Sequence, residues 1–127
     1  MNIDLKVMTE KDLQWMCDYT GLSSEHILDW FNKKDQLYFL VEPKLGYARI
    51  GVCDREEVNV GIVIRPERVG IGTSVVLELE NICKRLGFSR MSWTTKPDNE
   101  KSIKFALKHN FSIEMQSSEK VRLIKSI

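Results

Sequence analysis

The sequence predicts a single α+β domain built on a mixed, mostly antiparallel sheet, in the order β-α-α-β-β-β-α-β-α-β-β. Three observations carry this. Strand-like segments separated by turn residues fill residues 36–64. A long apolar pattern at helical spacing starts after Gly72 and closes at Gly87. A strand, a second helix and a short hairpin follow it. With 127 residues, 43% hydrophobic and 29% charged, the chain suits one domain with a packed core, residues 1–127.

IDLKVMT at 3–9 alternates as a strand does. Thr9 and Asp12 have the spacing of a capping box, which opens a helix through Tyr19 that Gly21 ends. Ser23 or Ser24 caps a second helix, EHILDWFNKKD, whose apolar face is Ile27, Leu28, Trp30 and Phe31. QLYFLVE (36–42), YARIGVCD (47–54) and EVNVGIVI (57–64) then form a β-meander. Gly61 in the third run marks a bulge. After Gly72, Val75, Val76, Leu79, Ile82, Cys83 and Leu86 share one helix face, and Gly87 closes the helix in αL. RMSWTTK (90–96) is a strand, Pro97-Asp98-Asn99 turns into the helix EKSIKFALKHN, and Asn110 takes the αL cap. SIEMQ and KVRLIKSI end the chain as a hairpin.

Several function classes are excluded early. No apolar run approaches the roughly 20 residues of a membrane span. MNIDLKVMTEKD lacks the apolar stretch of a secretory signal, so a cytoplasmic chain is expected. Cys17, Cys53 and Cys83 are widely spaced and read as buried thiols, and with two histidines no metal site is expected. Residues 1–83 hold 9 Lys/Arg and 14 Asp/Glu (−5), and residues 84–127 hold 10 and 4 (+6). The basic part shows no aromatic-basic interleaving, which argues against nucleic-acid binding.

The chemistry-bearing stretch is RPERVGIGTS at 65–74. A strand entering a helix through glycines aims free backbone N–H groups one way, and the helix dipole favours an anion there. Gly70 and Gly72 let backbone approach a ligand, and Thr73 and Ser74 add hydroxyls. A structural turn explains the glycines equally well. No lysine follows Gly72, which excludes a P-loop, and Val75 stands where a dinucleotide fingerprint needs its third glycine.

With its neighbours, this stretch resembles the GNAT superfamily of N-acetyltransferases. VIRPERVGIGTSVVLELENICKRLGF looks like the acyl-CoA-binding segment of that family, and PDNEKSIKFALKHNF like the segment where an Asn opens a helix that ends in Gly-Phe. The element order agrees. The resemblance implies acetyl-CoA in a cleft where the fourth and fifth strands splay. Its pyrophosphate would meet the amides of residues 68–73. A primary amine would attack the thioester directly. The CoA-contacting residues implied are Ile64, Arg65, Arg68, Val69, Gly70, Ile71, Gly72, Thr73 and Asn99, with the Ile64 N–H as the oxyanion donor.

Three departures accompany the likeness. The loop between Pro66 and Gly70 is shorter than is common in the family, and Glu67 stands where a Gln or Arg is usual, with Arg68 one place late. Seven residues after Asn99, where the family often has an acid-supplying Tyr, stands Ala106. The general base is Glu57 only if a bulge turns it into the cleft; a solvated turn carboxylate is the competing reading.

Trp30, Phe31, Tyr38 and Tyr47 lie where this family builds its acceptor pocket, though each also suits the core. If they line it, the acidic balance of residues 1–83 points to a cationic acceptor: a lysine side chain, an N-terminal amine or a polyamine. Lys101, Lys104 and Lys108 form a stripe that either flanks a CoA phosphate or is a solvated face. The competing function is a catalytically weak GNAT-fold module that binds a protein and still binds CoA. Monomer and homodimer both remain open.

Overall fold

The computed structural model describes residues 3–64 and 70–127. The strands are β1 (Asp4–Val7), β2 (Gln36–Glu42), β3 (Gly46–Val52), β4 (Glu57–Ile64), β5 (Arg90–Thr95), β6 (Ser112–Gln116) and β7 (Val121–Ser126). The helices are α1 (Leu13–Thr20), α2 (Ser24–Phe31), α3 (Ile71–Arg85) and α4 (Glu100–Lys108). A 3-10 turn at Glu10–Asp12 precedes α1. All the strands form one seven-stranded sheet, in the order β1-β2-β3-β4-β5-β7-β6. Every pair is antiparallel except β4–β5. The element order is the one expected.

Local signals act as the sequence implies. The Thr9 N–H donates to the Asp12 carboxylate at 2.9 Å, and the Lys11 N–H donates to Thr9 Oγ1 at 3.3 Å. The His26 N–H donates to Ser23 Oγ at 3.2 Å, so Ser23 is the cap of α2. Gly21, Gly87 and Asn110 all have positive φ where the chain leaves a helix.

Two layers of helix cover the sheet. On one face α1 and α2 bury Met8, Met16, Ile27, Tyr38 and Leu40. The other face packs Val41, Ile50, Val58 and Val60 against Val75, Leu79 and Cys83 of α3 and Ala106 of α4. Leu79 is fully buried, and such a side chain contributes about 2 kcal/mol.

Two expectations are corrected here. β4 carries no bulge: its register with β3 runs unbroken from Gly46↔Ile64 to Val52↔Val58. Gly61 lies directly opposite Arg49, and a Cβ there would sit 3.7 Å from the guanidinium. The irregularity falls instead in the β6–β7 pair, between Ile113 and Met115. The thiols also differ from one another. Cys83 is buried, Cys17 is half-buried, and Cys53 is exposed because β3 ends at Val52 and leaves it in the turn.

Candidate active site

The sheet is closed at one end of β4 and open at the other. β4 and β5 pair only through Glu57↔Arg90, Val58↔Met91 and Asn59↔Ser92. β4 continues to Ile64 paired with β3 alone, so the edge of Val60–Ile64 facing β5 has no ladder partner among the described residues. Such an edge presents alternating N–H and C=O groups to whatever enters the gap. Trp93 of β5 stands across the gap, its ring 5.5 Å from that of Phe105 on α4.

The closed end is clamped electrostatically. Arg122 Nη1 and Nη2 donate to Glu57 Oε2 and Oε1, both at 2.6 Å, and Arg90 Nε donates to Oε1 at 2.9 Å. The Glu57 side chain is 4% exposed. The Arg122 guanidinium beside it holds its carboxyl down to about 2, against the opposing effect of burial. Next along the strand, Asn59 Nδ2 donates to Ser92 Oγ at 3.1 Å and Thr94 Oγ1 at 3.2 Å.

On the α3/α4 side the gap opens into a cleft of about 420 Å³. Ile64, Gly70, Gly72 and Thr73 form one wall, with Asn99 and Phe105 opposite and Lys101 and Lys108 at the rim. Gly70 is the N-cap of α3 with φ +85°, a conformation that glycine adopts without strain. A Cβ on Gly72 would stand 3.0 and 3.1 Å from the Phe105 ring, so glycine keeps α4 close and the helix amides accessible. Those first-turn amides and the helix dipole make a receptor for an anion. Thr73 Oγ1 lies 3.1 Å from His109 Nε2, tying α3 to α4. Burial, then Lys108 and Lys125, lowers the pKa of His109. Asn99 caps α4, accepting from the Ser102 N–H at 3.2 Å.

On the α1/α2 side lies a second cleft of about 510 Å³. Trp30, Tyr38 and Tyr47 form its aromatic wall. Trp30 and Tyr38 stack with centroids 5.6 Å apart and planes 4° from parallel. The Tyr38 hydroxyl donates to Gln36 Oε1 at 3.1 Å, and burial pushes its pKa up. Arg49 and Lys33 also line this cleft. Ile62, Trp93 and Ser102 line both clefts, so the two meet through the gap in the sheet. At this junction Trp93 Nε1 donates to Ser102 Oγ at 2.9 Å. The acceptance leaves the hydroxyl hydrogen of Ser102 free to donate.

The GNAT acetyltransferase family model matches residues 6–111. The chain belongs to this family. Its fold agrees with that of solved members. The N-acetyltransferase PseH of Campylobacter jejuni in complex with acetyl coenzyme A superposes with a TM-score of 0.80 at 15% identity, over 98% of this chain and 99% of that one. PaiA N-acetyltransferase of Thermoplasma acidophilum in complex with coenzyme A gives 0.74 at 19% identity, over 100% of both chains. The spermidine/spermine N-acetyltransferase SpeG of Vibrio cholerae gives 0.78 at 13%, over 98% and 92%. At these identities the likeness is one of fold. No curated protein matches the sequence.

Against this geometry the residues singled out by sequence divide into groups. Ile64, Gly70, Gly72, Thr73 and Asn99 line the α3/α4 cleft, and Ile71 begins α3 with its side chain buried in the core. Arg65, Arg68 and Val69, with Glu67, lie outside the described residues. Ile64 lines only the α3/α4 cleft; Ile62, two residues earlier on the same edge, lines both. Glu57 lines neither cleft, and the unbroken register of β4 removes the bulge it needed. A buried carboxylate saturated by two arginines is a structural anion and a poor base. Ala106 points into the core, and Phe105 occupies the cleft beside it.

The sequence does not single out Ser102 or Arg49. Ser102 follows Asn99 by one helical turn, so its place on the same face was readable once Asn99 was singled out. Arg49 is bracketed by glycines across two strands, which only the register reveals. Among the described residues, no group of three or more His, Cys, Asp and Glu converges to hold a metal ion, and no helix is long and apolar enough to cross a membrane.

Proposed function

We propose that this chain transfers an acetyl group from acetyl-CoA to a primary amine by direct attack. The meeting of two clefts at Ile62, Trp93 and Ser102, through the gap between β4 and β5, carries this reading. A cosubstrate arm and an acceptor entering from opposite faces of the sheet reach one point there. That converts an encounter of two molecules into a reaction within one complex.

In this reading the amides of Gly70, Ile71, Gly72 and Thr73 hold the pyrophosphate of CoA. Arg65, Arg68 and Val69, which precede them in sequence, are assigned to the same phosphates by the family resemblance. Asn99 flanks the pantetheine arm, which pairs along the free edge of Val60–Ile64. The amine nitrogen attacks the thioester carbon, and an N–H of that edge stabilises the developing oxyanion. The Ile64 N–H is the candidate from sequence; the Ile62 N–H, on the same edge and nearer the junction, is equally disposed. The C–S bond then breaks and the thiolate leaves. The Ser102 hydroxyl, held by the Trp93 indole, donates toward that sulfur. The described residues lining both clefts carry no carboxylate and no imidazole, so the proton of the amine passes to solvent.

Calorimetry with acetyl-CoA tests the reading. Binding in the micromolar range, lost on Gly70→Asp, is expected. No heat at millimolar acetyl-CoA would sink it. The absence of a Tyr at Ala106, and of a carboxylate among the described lining residues, favours one alternative, a weakly catalytic module that retains CoA binding. Acetyl transfer to a panel of amines, abolished by Gly70→Asp, eliminates that alternative.

A further inference from the structure

We infer that the acceptor of this enzyme carries a fixed oxyanion, a carboxylate or a phosphate, beside its amine, and that Arg49 and Lys33 bind it. This rests on the transferase reading above and names the class of its acceptor. It reverses the cationic acceptor expected from the acidic balance of residues 1–83.

Charge in the lining comes first. The acceptor-side cleft holds two cationic side chains, Arg49 and Lys33, and among the described residues lining it there is no carboxylate. The described acids of the first 83 residues do not line it: Glu57, for one, is bound to Arg90 and Arg122 at the closed end of the sheet. A polyamine entering here would meet like charge with nothing to pair it, which selects against it.

The placement of Arg49 comes second. Its guanidinium lies along the sheet between two glycines. A Cβ on Gly51 would stand 2.6 Å from Nη1, and one on Gly61 would stand 3.7 Å from Nη2 and 3.8 Å from Nε. A Cβ at Gly51 would displace the guanidinium, while one at Gly61 would meet it in ordinary contact. Asn59 Oδ1 accepts from Nη2 at 2.6 Å and fixes its orientation, while Ser92 and Thr94 fix Asn59 in turn. Among the described residues the guanidinium has no carboxylate partner. A positioned fork of donors with one arm engaged and the rest facing a cleft matches a carboxylate or phosphate. Lys33, exposed at the cleft margin, adds a second and adjustable cation. The Trp30–Tyr38–Tyr47 wall packs the body of the acceptor between the cations and the junction.

The test reads equilibrium binding, so it needs no turnover. Protein saturated with CoA is titrated calorimetrically with L-glutamate and L-methionine (carboxylates), glucosamine 6-phosphate (a phosphate), glucosamine (neutral apart from its amine) and spermidine (polycationic). At least one oxyanion-bearing amine should bind about tenfold or more tighter than glucosamine and spermidine, and the arm that binds separates carboxylate from phosphate. Arg49→Gln should weaken that binding about tenfold or more, with Arg49→Lys recovering part of it. Lys33→Ala, a surface change that leaves the fold intact, should weaken it severalfold and reduce its salt dependence. CoA affinity should not move in any variant. Spermidine or glucosamine binding as well as the anionic amines overturns the inference. So does an anionic amine whose affinity is unchanged in Arg49→Gln and Lys33→Ala, or failure of every panel member to bind CoA-loaded protein at millimolar concentration. Failure of acetyl-CoA itself to bind strikes instead at the transferase reading.

Discussion

Arg122 grips Glu57 through two parallel hydrogen bonds of 2.6 Å, joining β7 to β4 across β5. The pair stands at the end where β4 and β5 are still hydrogen-bonded, and the sheet opens beyond it. Glu57 therefore acts on the fold. Glu57→Gln should leave two guanidinium groups without their shared anion and cost about 3 kcal/mol, in the lower range for breaking a buried pair because Arg90 and Arg122 reach solvent. Chemical denaturation checks this. If the folded variant loses activity by orders of magnitude at unchanged stability, Glu57 is a base after all.

Acid should loosen the protein in two stages. The pKa of His109 is lowered in the fold from its ordinary 6.5, so the folded state favours the neutral ring. Its contribution is present above pH 6.5 and falls away as pH drops below that value. Glu57 falls from 4.5 to about 2, so its contribution is full above pH 4.5 and is lost as pH approaches 2. Denaturation midpoints from pH 8 to 3 should decline through both windows. Glu57→Gln should flatten the lower one alone.

At the junction, Ser102→Ala should lower kcat about tenfold or more and leave the Kd for acetyl-CoA within a few-fold. The same change strands the Trp93 N–H and costs about 1–3 kcal/mol of stability. Steady-state kinetics at a temperature well below the Tm separates the two effects. Unaltered kcat removes Ser102 from the chemistry.

The pH profile should belong to the acceptor. With no carboxylate or imidazole among the described residues lining the clefts, kcat/KM should rise with unit slope until the amine's own pKa. Exchanging the acceptor for one of lower pKa should move the break by the same amount. Tyr38→Phe should not move it, because burial pushes the Tyr38 phenol up and keeps it protonated. A break near neutrality, common to all acceptors, would point to a protein base.

Gly72 offers a separate handle on the cosubstrate arm. Gly72→Val should push against the Phe105 ring, which lies only 3.0 Å from where a Cβ would stand, and crowd the amides of α3. A loss of acetyl-CoA affinity of about tenfold or more is expected, read by calorimetry. Gly70→Ala meets no neighbour, yet asks a non-glycine residue to hold φ +85° and should cost about 1 kcal/mol.

Much of this molecule was readable from local pattern. The capping box of Thr9 and Asp12, the αL residues Gly21, Gly87 and Asn110, and the apolar stripe of α3 are decided within a few residues of chain. The glycine entry to α3 and the Asn99 cap of α4 belong to the same kind. Each rests on short-range geometry, so the element order and the cleft-lining residues Gly70, Gly72, Thr73 and Asn99 are legible in the sequence alone. Whatever depends on register was out of its reach. Glu57 and Arg122 are 65 residues apart, and nothing local marks them as partners. Gly61 read as a bulge because only the β3–β4 pairing sets it under Arg49. The acidic count of residues 1–83 does not carry over to the α1/α2-side cleft, whose described lining holds Arg49 and Lys33, since charge summed along a chain does not say which side chains the sheet turns toward a cavity. The tertiary structure decided that, by parting β4 from β5 after Asn59 and laying Arg49 on the face beside the gap.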